Sequence, residues 1–224
     1  MDRKKLHWKE RHKSIYYAGS VVPDCNLVME KTALLIVDLQ NAYLSPTLLD
    51  GDFYDRLKNR VIPTAKKLLN FFRARSLPVF YARIACLTLD GRDRSLSQKR
   101  PGFNDIILYH ASVESQIVEE LSPLPGEVVV TKTTDSALTG TNLALILRNM
   151  AIEHVVVCGI FTDQCISSTV RSLADESFNV VLIEDGCTAA TEQLHDHELT
   201  VINNIYCQVM YFDEFELVLA ERHS

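Results

Sequence analysis

Cys165 is the cysteine of this sequence best placed to act as a nucleophile. It follows the apolar run HVVVCGI and falls in the first turn of the helix predicted after it. A thiol there feels the positive end of the helix dipole, which lowers its pKa and favours the attacking thiolate. Asp163 or Thr162 is positioned to cap that helix. Two further groups with useful chemistry close apolar runs: Asp38 after TALLIV and Lys132 after EVVVT. Plainer readings stand beside each. An aspartate at a strand end can simply cap a turn, a closing lysine is commonly solvated, and a cysteine is often a small buried hydrophobe. Cys86 and Cys187 also fall near run ends, but neither clearly opens a helix, and Cys158 and Cys207 lie within or beside apolar runs. His195 and His197 are two apart on a predicted helix, so they point to different faces, and a solvated helix is expected there.

The elements that must position these groups alternate along the chain. Apolar runs predict strands at Thr32 to Gln40, Pro78 to Ile84, Glu127 to Lys132, His154 to Ile160, Asn179 to Asp185 and Cys207 to Phe212. Helical spacing marks Asp55 to Arg75, 105–121, Asn142 to Asn149, Asp163 to Ser177, Thr191 to Asn204 and Glu214 to Arg222. Residues 87–104 read as a long polar loop, and such loops in compact domains tend to be functional. The strands are continuously apolar, as expected when both faces of a sheet are covered. Together these features predict a three-layer α/β/α domain over residues 31–224, built on an open, doubly wound, six-stranded parallel sheet. A polar arm, residues 1–30, precedes it and is expected to lie over the surface or onto a partner subunit; Trp8 is expected on its own surface. Open α/β sheets bind ligands at the carboxyl ends of their strands, where strand order reverses. With the order 3-2-1-4-5-6, strands one and four meet there, and Asp38 and Cys165 face one crevice.

Composition narrows the function classes. The chain has 224 residues, 47% hydrophobic and 23% charged, which suits one large domain or two small ones. A net charge of −6 argues against nucleic acid or an anionic membrane as the main partner. No apolar run approaches the roughly 20 residues that span a bilayer. The start, MDRKKLHWKERHKS, has no apolar stretch behind it, so a cytoplasmic protein is expected, with free thiols. No C-x-x-C pair supports a zinc or thioredoxin-type motif, and G-x-G-x-x-G after the first strand, G-x-x-x-x-G-K-[ST] and G-x-S-x-G are all missing.

The stretches ALLIVDLQNAY, KTTDSALTGTNL and VVVCGIFTDQCISSTVRSLADESFNVVLIEDGCTAA resemble the isochorismatase-like cysteine hydrolases, from about Thr32 to Met210. The family's triad then falls on Asp38, Lys132 and Cys165. In that chemistry Asp38 takes the thiol proton and later delivers it to the leaving amine, while Lys132 favours thiolate and carboxylate. The resemblance also implies oxyanion donors at the backbone N–H groups of Phe161 and Cys165, and a cis peptide at Ile160–Phe161. Gln40 and Tyr43 are candidate pocket residues. The true isochorismatases lack the cysteine, so its presence is similar to the amide-cleaving branch. Nicotinamidases carry an Asp/His/His metal cluster after the second strand, whereas YARIACLTLDGRDRSLSQ holds no histidine. Metal-free amidases, ureidoacrylate amidohydrolases most of all, are therefore closer. The expectation is a metal- and cofactor-independent amidohydrolase of a small amide or carbamoyl compound, acting through a thioester acyl-enzyme as a homodimer or homotetramer. Vinyl-ether hydrolysis as in isochorismatase, a nicotinamidase-like amidase and a catalytically silent relative remain as alternatives.

Overall fold

Six short runs rich in branched residues form the sheet: β1 (Thr32–Val37), β2 (Val79–Ile84), β3 (Val128–Lys132), β4 (His154–Ile160), β5 (Asn179–Thr188) and β6 (Gln208–Met210). The structure, a computed structural model, describes residues 6–46, 48–49, 51–102 and 105–220. All strand pairs are parallel, in the order β3-β2-β1-β4-β5-β6. This is the expected doubly wound order. Every residue of β1 and β4 is buried, because these central strands carry helices on both faces. The register pairs Val37 with both Ala82 and Gly159, and Ile84 with Lys132, so the carboxyl ends of β1, β2, β3 and β4 share one edge.

Helices flank the sheet. α1 (Gly51–Arg56) runs through a π-turn at Leu57–Val61 into α2 (Ile62–Ala74). Ala65, Leu68, Leu69 and Phe72 form the buried stripe of α2 at helical spacing. α3 (Leu143–Asn149), α4 (Ser167–Asp175), α5 (Glu192–Ile202) and α6 (Phe212–Ala220) follow the later strands. Thr191 caps α5 by accepting the Leu194 N–H at 3.1 Å. The last helix was expected to start at Glu214; it begins two residues earlier, and its expected final residues 221–222 lie outside the described residues.

One expected helix does not form. Residues 105–121 are irregular apart from a single 3₁₀ turn at Glu119–Leu121. Their backbone instead bonds strand ends: Cys86 N–H donates to Leu108 O at 2.8 Å, Asn41 N–H to Gln116 O at 2.9 Å, and Val118 N–H to Leu39 O at 3.0 Å. These long-range partners outcompete a local helical ladder. The crossover between β2 and β3 therefore lies over the carboxyl edge of the sheet.

The arm docks on its own chain. Trp8 is buried. Arg11, 1% exposed, pairs with Glu184 at 2.7 Å and with Glu214, while His12 Nε2 lies 3.1 Å from Glu184. Asn203 Nδ2 donates to the carbonyls of Arg11 and His12.

Candidate active site

Beyond Val37 the chain turns sharply. Asp38 adopts a left-handed backbone (φ 54°), and its N–H donates to Ala82 O at 2.8 Å. Such a conformation in a non-glycine residue is strained and persists only where neighbours hold it. Alongside, β4 approaches β1 closely at Gly159, whose φ is 133° and where a Cβ would sit 2.0 Å from Val37 O. Only glycine fits. The following Ile160–Phe161 peptide is cis, and a π-turn at Thr162–Ile166 carries Cys165 before α4 begins.

These turns bring the three expected residues together. Lys132 Nζ lies 2.7 Å from Asp38 Oδ2 and 3.2 Å from Cys165 Sγ, and also donates to Thr134 O. All three side chains are buried. Neither Asp38 oxygen receives a well-aligned hydrogen bond from the described residues, so the ion pair with Lys132 and the adjacent thiol are what it faces.

Burial sets the charge states. It raises the Asp38 carboxyl above its usual value, and Lys132 only partly offsets that. Burial alone would lower the Lys132 ammonium, but Asp38 and Cys165 hold it above its ordinary value. The Cys165 thiol is pushed well up by burial; Lys132 pulls it down, while Asp38 and Asp135 push it further up. The direction is opposite to the lowering expected from the sequence: desolvation and two carboxylates outweigh one ammonium. Burial disfavours the charged forms of both Asp38 and Cys165, Lys132 favours them, and the cluster titrates as a unit.

Other expectations are corrected. Neither Thr162 nor Asp163 caps the turn through its side chain. Thr162 Oγ1 lies 2.7 Å from His195 Nδ1 instead. His195 is therefore not on a solvated face; it is buried, and burial lowers its pKa to about 3, so it is neutral at pH 7. His197 is exposed, as expected. Gln40 is not available to a substrate. Its amide donates to the carbonyls of Ile84 and Ser115 and accepts from the Ile84 N–H, tying the ends of β1 and β2 to the crossover. Tyr43 does line a cleft and packs edge-on against Phe161, with ring centres 5.5 Å apart.

That cleft is bounded by Tyr43, Cys86, Arg94, Gln98, Leu108 and Thr133. Arg94 is spent on folding the wall: it donates to the carbonyls of Gly91, Gln98 and Ile106 and pairs with Asp105 at 3.1 Å. Asp135 was not singled out in the sequence. Its Oδ1 lies 3.8 Å from Cys165 Sγ and accepts from Gln98, while Oδ2 accepts from Ser97 at 3.0 Å. Its place three residues after Lys132, in the TTDSALTGT loop, was the available signal. Among the described residues, no group of three or more His, Cys, Asp and Glu side chains could hold a metal ion.

Comparison with known proteins agrees with this architecture. The isochorismatase domain model matches residues 32–214. The ureidoacrylate amidohydrolase RutB of Pantoea ananatis is 32% identical over 173 residues, spanning 68% of this chain and 68% of that protein. A cysteine hydrolase from Pseudomonas syringae pv. phaseolicola superposes with a TM-score of 0.77 at 23% identity, covering 90% of this chain and 97% of the other. The N-carbamoylsarcosine amidase of Thermoplasma acidophilum superposes at 0.65 and 23% identity, covering 81% and 96%. At those identities the two structures speak for the fold. The parallel sheet, the crevice where its order reverses and the match across residues 32–214 together make this chain a member of the isochorismatase family of hydrolases.

Proposed function

We propose that this protein cleaves a C–N bond of a small amide or carbamoyl compound through a thioester on Cys165, without a metal or cofactor. The observation that carries this is the contact of Lys132 Nζ with both Asp38 Oδ2 (2.7 Å) and Cys165 Sγ (3.2 Å) in a buried crevice beside the cleft. Asp38 accepts the thiol proton as sulfur attacks the carbonyl, then passes it to the departing amine. Lys132 stays protonated and balances the negative charge, whether it sits on sulfur or on carboxylate. The backbone N–H groups of Phe161 and Cys165 receive the oxyanion. Water, with Asp38 again as base, releases the acid and restores the thiol. The names of the ureidoacrylate and N-carbamoylsarcosine relatives support the substrate class.

The test is a panel of amides, ureas and isochorismate given to purified protein before and after exhaustive chelation, scoring ammonia or acid release. Ammonia release that survives chelation is expected. Turnover of isochorismate alone, or activity lost with a stoichiometric metal, would overturn the proposal.

A further inference from the structure

Asp135 lies outside the Asp38–Lys132–Cys165 set, yet it reaches the nucleophile as an acceptor facing the thiol. Its Oδ1 is 3.8 Å from Cys165 Sγ. Ser97 and Gln98, on the crossover that walls the cleft, both donate to it and hold it in place. An ionised carboxylate has about four acceptor sites and no donor, so capacity remains after these bonds.

The attacked carbonyl carbon has three substituents to place. Its oxygen goes to the backbone donors and its leaving nitrogen to Asp38, which must protonate it. The third lies on the remaining side of sulfur. Where that substituent lies on the Asp135 side, it faces an oxygen 3.8 Å from the attacking sulfur, within reach of a hydrogen bond once the sulfur–carbon bond forms. A methylene there would cover part of a half-buried acceptor without bonding it, while an N–H would satisfy it.

We propose that Asp135 is the specificity-determining residue of this site, accepting the N–H of a ureido group and so selecting R–NH–CO–NH₂ over the isosteric amide R–CH₂–CO–NH₂. This rests on the amidohydrolase function proposed above and names its substrate class. The sulfur–carbon bond forms as the terminal C–N bond breaks, and ammonia leaves with the thiol proton relayed through Asp38. Water then cleaves the carbamoyl thioester to R–NH–COOH, which loses CO₂ to give the amine R–NH₂. The balance is one urea and one water to one amine, one ammonia and one CO₂, with no redox partner.

Matched pairs such as propylurea and pentanamide test it, with kcat/KM measured for the native protein, Asp135→Ala, Asp135→Asn and Ser97→Ala. The native protein is expected to prefer the urea about tenfold or more, since a site built to bond an N–H rejects analogues lacking it. Asp135→Ala and the nearly isosteric Asp135→Asn should bring the ratio towards one, mainly by loss on the urea. Ser97→Ala removes one bond that holds Asp135 and keeps the carboxylate, so it should keep the preference. An unchanged ratio in both Asp135 variants, or the same collapse in Ser97→Ala, would overturn the assignment. Protection of Cys165 from iodoacetamide by each pair member separates this inference from the reaction itself. If neither compound is turned over, the proposed reaction fails for them. Tighter protection by the urea, lost in Asp135→Ala, would still support the assignment, and equal protection would overturn it.

Discussion

A thiol held beside a buried carboxylate, a half-buried one and a buried ammonium attacks only when its proton has somewhere to go. Asp38 provides that place, since burial makes it more basic than an ordinary carboxylate. Asp38→Asn keeps the shape and removes the base from both half-reactions, so turnover should fall at least about 100-fold with the far-UV spectrum unchanged. A near-normal rate in that variant would make Asp38 structural only. The pH dependence follows the same sign. A raised carboxyl keeps its proton to higher pH, so the active ionised form is lost as pH falls through the raised value. The acid limb of kcat/KM should therefore lie above the ordinary aspartate value of about 3.9 and belong to the cluster as a whole. Cys165 should also be the first of the six buried thiols to react with substoichiometric iodoacetamide, because Asp38 can take its proton and Lys132 Nζ, 3.2 Å away, stabilises the thiolate. Activity should fall in step with that adduct on peptide mass mapping. Cys165→Ala should lose about 10⁴-fold or more in kcat. A first label on Cys86 or Cys187 that tracks inactivation would move the nucleophile elsewhere.

At the scale of elements, the site depends on two strand ends lying unusually close. Gly159 lets β4 approach β1 where Asp38 begins its strained turn. Gly159→Ala brings a Cβ against Val37 O and forces a positive φ on alanine, and the neighbour is backbone that cannot swing aside. More than about 1 kcal/mol of stability should be lost, read as a lower urea midpoint, and activity should fall further than stability explains because Asp38 shifts with Val37. An unchanged midpoint would mean the strands can separate at no cost. The buried Thr162–His195 contact braces the next turn in the same way, linking the segment that carries Cys165 to α5.

At the scale of the molecule, the arm is held by charge buried against the sheet. Glu184 would be raised by burial, but His12 and Arg11 more than offset this and depress it to about 2. A depressed carboxyl contributes stability that is present above its unfolded value, about 4.3, and is lost as pH falls from there towards 2. Arg11→Ala leaves Glu184 buried with half its partners. It should cost about 3 kcal/mol or more in urea unfolding, and the loss should shrink below pH 4. A cost independent of pH would assign the effect to packing. Ile15, Tyr16 and Val21 of the same arm are 83%, 82% and 92% exposed, and three apolar side chains so placed fit the homo-oligomer expected from the sequence. Light scattering should show a species of at least twice 25.4 kDa; a monomer alone would remove that expectation.

The layout of the catalytic edge was legible in the sequence. Continuous apolar runs mark strands covered on both faces, and parallel topology brings their carboxyl ends together, so Asp38 and Cys165 could be placed at one crevice from local pattern and strand order, while Lys132 joins them through the family resemblance. What tertiary structure alone decided depends on distance and density. Residues 105–121 carry helical spacing, yet bond to strand ends far away in sequence. Gln40 looked like a pocket residue until three backbone groups claimed its amide. Asp135 gained its role from Ser97 and Gln98, nearly 40 residues before it, and His195 from Thr162 across the fold. The thiol's charge state reversed because desolvation acts through everything packed around a group, whereas a helix dipole is visible in a few neighbouring letters.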